Sequence, residues 1–313
     1  MEQKKVIKKR EEKSKRRHDA LNKKEKFRLF IQACVTAVSN GYIAGFAQMK
    51  IYKGDLKKLC VPGLNCYSCP GALGSCPIGA LQAVLGNRQY HIAFYVLGFL
   101  MMVGAVFGRF ICGWACPFGL VQDLLHKIPT PKKWKKLPGD RVLRYLKYVL
   151  LVVFVILMPL YVVDFVGQGE PWFCKLICPV GTLEGGIPLV STSSDLQQMV
   201  GFLFAWKNLI LIGVIVLAIF VYRPFCHYVC PLGAIYGLFN PIAFTRFKVD
   251  KKTCTNCKAC KNVCKLDIPV YEKPNSVECI RCGMCMSICP ESAIQYENAI
   301  RRKHVKKNDC TKA

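Results

Sequence analysis

Apolar residues gather into four stretches along the chain, each near the ~20 residues a helix needs to cross ~30 Å of hydrocarbon. They run from Phe27 to Met49, from about His91 to Phe110, from Tyr145 to Val163 and from about Phe202 to Tyr222. Gln32, Ser39 and Asn40 interrupt the first, and Lys207 sits near the start of the fourth, where it can snorkel to an interface. Ahead of them, residues 1–28 are dominated by Lys, Arg and Glu. That segment reads as a solvated, partly helical arm whose charge holds the N-terminus in the cytoplasm.

The polar segments set an orientation. With the N-terminus inside, residues 60–86 lie outside and residues 111–140, with the run PKKWKK, return inside as the positive-inside rule requires. Residues 164–200 fall outside with Asp164, Glu170, Glu184 and Asp195 against the single Lys175. Everything after Arg223 is inside. Lys50, Lys53, Lys57 and Lys58 dissent, because they sit at the outer end of the first stretch.

Composition agrees with lipid-buried segments joined by basic loops. Of 313 residues, 52% are hydrophobic, yet 45 are Lys or Arg and the formal net charge is +26. One globular core rarely combines the two. The basic residues crowd beside apolar segments and no nucleic-acid-binding motif occurs, which excludes nucleic acid in favour of an anionic membrane surface or an acidic redox partner. The charged N-terminus has no small-residue cleavage site, so no cleaved signal peptide is expected. The expected location is a bacterial cytoplasmic membrane, multi-pass, with both termini cytoplasmic.

The 20 cysteines change the picture from a membrane protein to a metal-loaded one. Their spacings are short, repeated and followed by Pro, which suits thiolate ligands better than a disulfide scaffold and implies a reducing, oxygen-poor setting. A motif of Cys-Pro, an apolar residue and Gly recurs at Cys76, Cys116, Cys178 and Cys230. Three copies have a second Cys four residues earlier, at Cys112, Cys174 and Cys226, and the first has Cys66 and Cys69 upstream instead. The copies alternate sides, so the membrane part reads as two parallel repeats, roughly 29–126 and 142–240. A [4Fe–4S] cluster needs four thiolates. Cys112, Cys116, Cys226 and Cys230 would form an inner site, while Cys66, Cys69, Cys76, Cys174 and Cys178 offer five candidates for an outer one. The Pro is expected to stop a helix and the Gly to allow a close turn. Single zinc or copper ions remain an alternative, since sulfur-only ligation does not separate them from iron–sulfur.

Residues 254–264 read C-x2-C-x2-C-x3-C, and residues 279–289 repeat that spacing. In this bacterial ferredoxin pattern the fourth Cys of each run ligates the other cluster. One cluster should take Cys254, Cys257, Cys260 and Cys289, and the other Cys279, Cys282, Cys285 and Cys264. The Pro that follows the fourth Cys is kept at Pro290 and replaced by Lys265 after Cys264, which should raise the second cluster's potential slightly.

RFICGWACPFG and RPFCHYVCPLG, followed by a two-cluster ferredoxin segment, resemble the membrane-bound polyferredoxins. That family includes the quinol-oxidising subunit of periplasmic nitrate reductase and the membrane half of the nitrous-oxide reductase regulator. The resemblance implies electron transfer between quinone or cytoplasmic carriers and partners across the membrane. NCYSCPGALGSCP and FCKLICPVG depart from the nitrate-reductase type and favour a complete trans-membrane relay.

The expected architecture is a mainly α membrane protein: a basic arm (1–28), a four-helix membrane domain (29–247), a small α+β ferredoxin domain with two [4Fe–4S] clusters (248–297) and a basic tail (298–313). One or two further iron–sulfur clusters are expected in the membrane part. The leading function is an electron conduit, an oxidoreductase component touching lipid and redox proteins and able to meet quinone. A soft-metal (copper) reductase or maturation factor is the alternative, and a redox sensor the third. Cys34 is expected to be a buried apolar thiol, Cys60 a spare outer ligand, and Cys310 unpartnered in the tail. His91, His126 and His227 do not face one another as haem ligands would, and no nicotinamide or flavin motif occurs.

Overall fold

The computed structural model describes residues 2–48, 50–87, 94–163, 168–198 and 200–298. His91, Asp164 and the tail beyond Asn298, with Cys310, lie outside the described residues. Among the described residues helix dominates, with one two-stranded sheet.

Two helices are long and apolar enough to cross a membrane, Asp140–Tyr161 with 22 residues and Phe202–Phe220 with 19. Their outer faces leave Val149, Val152, Leu209, Ile212 and Val216 exposed, a surface suited to lipid. The first of them widens into π geometry over Leu151–Leu157, just ahead of Pro159. Proline cannot donate to the carbonyl four residues back, which accounts for the loosened ladder. Among the described residues, the other two crossings expected do not form apolar helices of that length. Phe94–Phe107 has 14 residues. The first apolar stretch is split: the helix Glu2–Ser39 ends there and a short one resumes at Ile43–Gln48. Thr36 donates to the Gln32 carbonyl at 2.8 Å, Asn40 donates to the Thr36 carbonyl at 3.1 Å, and Ser39 bonds the Val35 carbonyl. Such side chains compete with the helical ladder and favour a break.

Each Cys-Pro motif begins a helix, and at three of them a short helix, Phe110–Trp114, Trp172–Leu176 or Pro224–Tyr228, ends just before it as expected. Cys76, Cys116, Cys178 and Cys230 are the capping residues, and the Pro after each is the first helical residue. There a missing N–H leaves nothing unpaired, so the motif that ends one helix also starts the next. The resulting helices, Pro77–Gly86, Pro117–Leu125, 179–192 and Pro231–Phe239, are short, and buried residues line them.

In the C-terminal unit, Thr245–Val249 pairs antiparallel with Ile294–Asn298, placing Thr245 opposite Asn298 and Val249 opposite Ile294. The short helices Ala259–Val263 and Met284–Ile288 pack between them in sequence. Buried charges bolt this unit to the membrane part. Glu278 takes Arg109 at 2.7 Å and Lys147 at 2.5 Å, all three almost fully buried. Asn240 donates to the carbonyls of Ser276 and Cys279 at 2.9 and 2.8 Å and accepts from the Arg109 N–H at 2.9 Å.

The basic arm is not a free tail along its whole length. From Leu21 onward it packs, with Leu21 and Arg28 buried, against the Met284–Ile288 and Pro117–Leu125 helices. Glu25 pairs with Lys265 at 2.6 Å, so the charge expected to raise the second ferredoxin cluster's potential is compensated by the arm. Cys34 is exposed on the same helix, not buried as expected.

Asp123 holds the arm in place: it accepts from Arg28 at 2.7 Å and from Arg223 at 2.7 and 2.5 Å. Asp123→Asn leaves two buried guanidinium groups without a countercharge, a loss of about 3–5 kcal/mol. Limited proteolysis should then cut the arm between residues 21 and 39 where the native protein resists, and unchanged cleavage would count against the clamp. Burial pushes the Asp123 carboxyl up, but Arg223 and Arg28 outweigh it and hold it at about 2, against about 3.9 in an unfolded chain. Because the folded value is the lower, this stabilisation is complete above pH ~4 and is lost as pH falls from there through 2. Acid titration followed by the same cleavage should show that window.

Candidate metal centres

The ferredoxin cysteines fall around two small cavities. Cys254, Cys257, Cys260 and Cys289 line one, which joins the first run to the last cysteine of the second. Cys264, Cys279 and Cys282 line the other, with the buried Cys285 against all three. Lys258 and Arg281, each within a run, adopt positive φ, which turns the backbone between neighbouring cysteines. Burial pushes the Cys279 thiol up to about 12.

Cys112, Cys116, Cys226 and Cys230, all at most 5% exposed, converge at the inner position. The arginines three residues ahead of Cys112 and Cys226 cross over to the opposite motif. Arg109 donates to the Cys226 carbonyl at 3.0 Å, and Arg223 bonds the Cys112 carbonyl. Arg109 answers to Glu278 and Arg223 to Asp123. Lys147 and Arg28 share those two carboxylates, so the site is enclosed by a surplus of buried positive charge that suits an anionic group.

At the outer position Cys66, Cys76, Cys174 and Cys178 line a cavity of about 630 Å³. Cys69, the fifth candidate, turns aside and donates to Asn40 at 3.5 Å; Cys60 is buried but lies outside this cavity. Burial pushes Cys66 up to about 11 and Cys76, Cys174 and Cys178 up to about 12. Thiols this hard to ionise would become thiolates only against a cation held among them. Glu184 accepts from the Cys66 N–H at 2.7 Å, and burial raises its carboxyl to about 7. Lys207 does not snorkel away: it donates to the Cys174 carbonyl at 3.2 Å. Lys57, one of the dissenting lysines, is buried and donates to the Ala72 carbonyl at 2.8 Å.

The glycine of the motif has a specific use. Gly79, Gly119, Gly181 and Gly233 each direct their N–H at the sulfur of their own motif's capping Cys, at 3.3 Å for Gly233. None has positive φ. Gly119 and Gly233 instead lie where a side chain would press on the opposite motif's arginine: a Cβ would be 3.2 Å from the Arg223 guanidinium and 3.3 Å from that of Arg109, respectively. Helix N-termini and N–H groups thus surround the sulfurs, an environment that stabilises anionic thiolates.

These sets fit iron–sulfur clusters on chemical grounds: sulfur-only donors, enclosed, with N–H groups aimed at the sulfurs. Among the described residues no three His, Cys, Asp or Glu side chains close around a single-ion position. The residues that sequence reasoning missed are those joining the sites. Arg109, Arg223, Asp123, Glu278 and Arg281 are charges inside apolar or Cys-rich surroundings, and that context was the available signal. Arg281 donates to the Phe107 and Asn240 carbonyls at 2.9 and 2.7 Å, and Trp114 donates to the Arg281 carbonyl at 3.2 Å. His227 is buried between Asp140 and Glu278 and is held neutral at pH 7; burial drives its pKa down to about 4.

Comparisons with known proteins point the same way. A family model described as a 4Fe-4S binding domain matches residues 91–137, 146–187 and 203–252, and another of that description matches 273–295. The chain is 32% identical over 210 residues to an uncharacterized protein of Methanocaldococcus jannaschii, covering 65% of this chain and 78% of the relative. A second uncharacterized protein of that organism is 28% identical over 202 residues, covering 63% and 67%. The ferredoxin-type protein NapH of Haemophilus influenzae is 26% identical over 209 residues, covering 63% and 65%. No solved structure matches the chain.

Gly113 packs directly on the Ile280 carbonyl, where an added methyl has no room. Gly113→Ala should therefore prise the 110–114 helix from the second ferredoxin run, costing about 1–3 kcal/mol as overpacking does. Hydrogen exchange at residues 277–283 should rise; an unchanged pattern would mean the two segments do not touch.

Proposed function

This chain belongs to the membrane-bound [4Fe–4S] polyferredoxins, and from that premise we propose that it conducts electrons through four clusters strung between its ferredoxin domain and an outer cysteine site. The ferredoxin clusters take Cys254, Cys257, Cys260 and Cys289, and Cys279, Cys282, Cys285 and Cys264. The inner cluster takes Cys112, Cys116, Cys226 and Cys230. The outer one takes Cys66, Cys76, Cys174 and Cys178, without Cys69. Bound there, the clusters supply reversible one-electron reduction; the protein supplies ligands, charge and exclusion of water.

The observation that carries this reading is the direct contact of the second ferredoxin run with the inner group and of the inner group with the outer loop. The second ferredoxin run meets the inner motif through Gly113 with Ile280 and Trp114 with Arg281. The inner group meets the outer loop through Leu64, whose N–H points at Cys116 Sγ two residues before Cys66. Gly63 lies against the Cys116 backbone, where a Cβ would sit 3.0 Å from its Cα. Tyr236, fully buried beside Cys76, Cys112 and Cys116, donates to the Pro62 carbonyl at 3.1 Å and fills the space between the two groups.

The two long apolar helices anchor the relay in a cytoplasmic membrane. The arrangement with four crossings, two parallel repeats and both termini cytoplasmic extends that reading. The ferredoxin end would exchange electrons with cytoplasmic carriers or quinone, and the outer end with an extracytoplasmic acceptor. Iron and acid-labile sulfide on anaerobically purified protein should each approach roughly 16 per chain, four clusters of four. Cys112→Ser should remove about four irons while the ferredoxin signals persist. A native content near eight would reject the relay and leave the ferredoxin domain alone.

A further inference from the structure

Two buried glutamines occupy matching places in the inner and outer sites. Gln122 lies six residues after Cys116, and Gln82 six residues after Cys76. Both are 0% exposed. The Gln122 amide donates to Cys226 Sγ at 3.1 Å and to the Phe118 carbonyl at 3.3 Å, while its oxygen accepts from the Phe225 N–H at 3.2 Å. Gln82 repeats the pattern one site outward. It donates to Cys174 Sγ at 3.3 Å and the Ile78 carbonyl at 3.2 Å, and accepts from the Phe173 N–H at 3.0 Å. In each case the accepted N–H belongs to the residue just before the cysteine that receives the amide proton.

The three contacts fix the amide's orientation. Its oxygen faces a backbone donor, so its NH2 must face the carbonyl and the sulfur. A leucine or methionine would fill the volume but orphan the buried N–H, and a glutamate would satisfy the N–H but offer no proton to sulfur. Glutamine does both. A role confined to packing would not need the proton on sulfur in two separate sites.

The geometry points to Gln122 and Gln82 as positioning residues that set the reduction potentials of the inner and outer clusters, through one amide N–H···S bond to Cys226 and one to Cys174. This rests on the ligand sets proposed above. A hydrogen bond to a cluster thiolate gains strength as the cluster takes up an electron and becomes more anionic, so it favours the reduced state. Removing it lowers the potential. Hydrogen bonds to charged groups are worth enough to move the ratio of reduced to oxidised cluster roughly tenfold at a fixed potential, which is about 59 mV for a one-electron couple.

The test is an EPR-monitored redox titration of the purified full-length protein, with iron counted on each sample. Native iron near eight instead of sixteen would sink the ligand sets themselves, before the glutamines are at issue. With those in place, Gln122→Glu keeps the acceptor for Phe225, and Gln122→Met removes both contacts. Either variant that retains its iron should show one midpoint shifted to lower potential by about that tenfold ratio, with the other three unmoved. The Gln82 counterparts should shift a different single midpoint. Retained iron with native midpoints overturns the inference. Loss of four irons in both variants of a residue also overturns it, because the glutamine would then be holding the fold and not the potential.

Discussion

Gathering four ionisable thiols in a dry interior is the constraint on which the rest of this molecule depends. Thiolates repel one another and are poorly solvated there, so the surroundings must supply positive charge and donors before a metal group can stay. The inner site does this with two arginines exchanged between motifs. Arg109 reaches the Cys226 carbonyl and Arg223 the Cys112 carbonyl, so neither half of the site is complete without the other. Their own charges are answered by Glu278 and Asp123, and those carboxylates recruit the ferredoxin domain and the N-terminal arm. One electrostatic requirement thereby fixes how three segments, distant in sequence, come together.

The repeated unit that meets the constraint is a cysteine followed by proline at a helix start. The cysteine takes the capping position, the proline occupies a place that needs no N–H, and the glycine turns its N–H toward the sulfur. Its lack of a side chain lets the opposite motif approach. Six residues on, the side chain reaches across: Gln82 and Gln122 to a sulfur, Glu184 to the Cys66 N–H, and Tyr236 to the loop at Pro62. The two sites differ in their charges. The inner one is ringed by arginines, whereas Lys57, Lys207 and the carboxyl of Glu184 surround the outer one. The outer cysteines also open on a far larger cavity, so the end of the chain of sites is the more accessible to something outside it.

Local chemistry was legible in the sequence because ligand spacing is a covalent matter. The two C-x2-C-x2-C-x3-C runs, the four Cys-Pro-x-Gly copies and the apolar runs at 145–163 and 202–222 needed nothing but chain order to be read. Length and apolarity were misleading where polar side chains act on the backbone, as at Ser39 and Asn40, which end a helix inside an apolar stretch. Proline was half read: helices do end just before Cys116, Cys178 and Cys230, but each proline also starts the next one, because its missing N–H is not needed at a first helical position.

What only the tertiary structure decided is partnership. Cys66 and Cys69 are equivalent by spacing, yet one faces Cys76, Cys174 and Cys178 while the other faces Asn40. Nothing near Arg109 or Arg223 in the chain foretells that each serves the other's motif, and nothing in the basic arm foretells Glu25 against Lys265. These choices rest on burial and on the opposition of charges brought together over roughly a hundred residues or more, from Arg109 to Cys226 and from Glu25 to Lys265. A sequence states which ligands exist and at what local intervals. Long-range packing, by desolvating some groups and pairing others, determines which of them face one another.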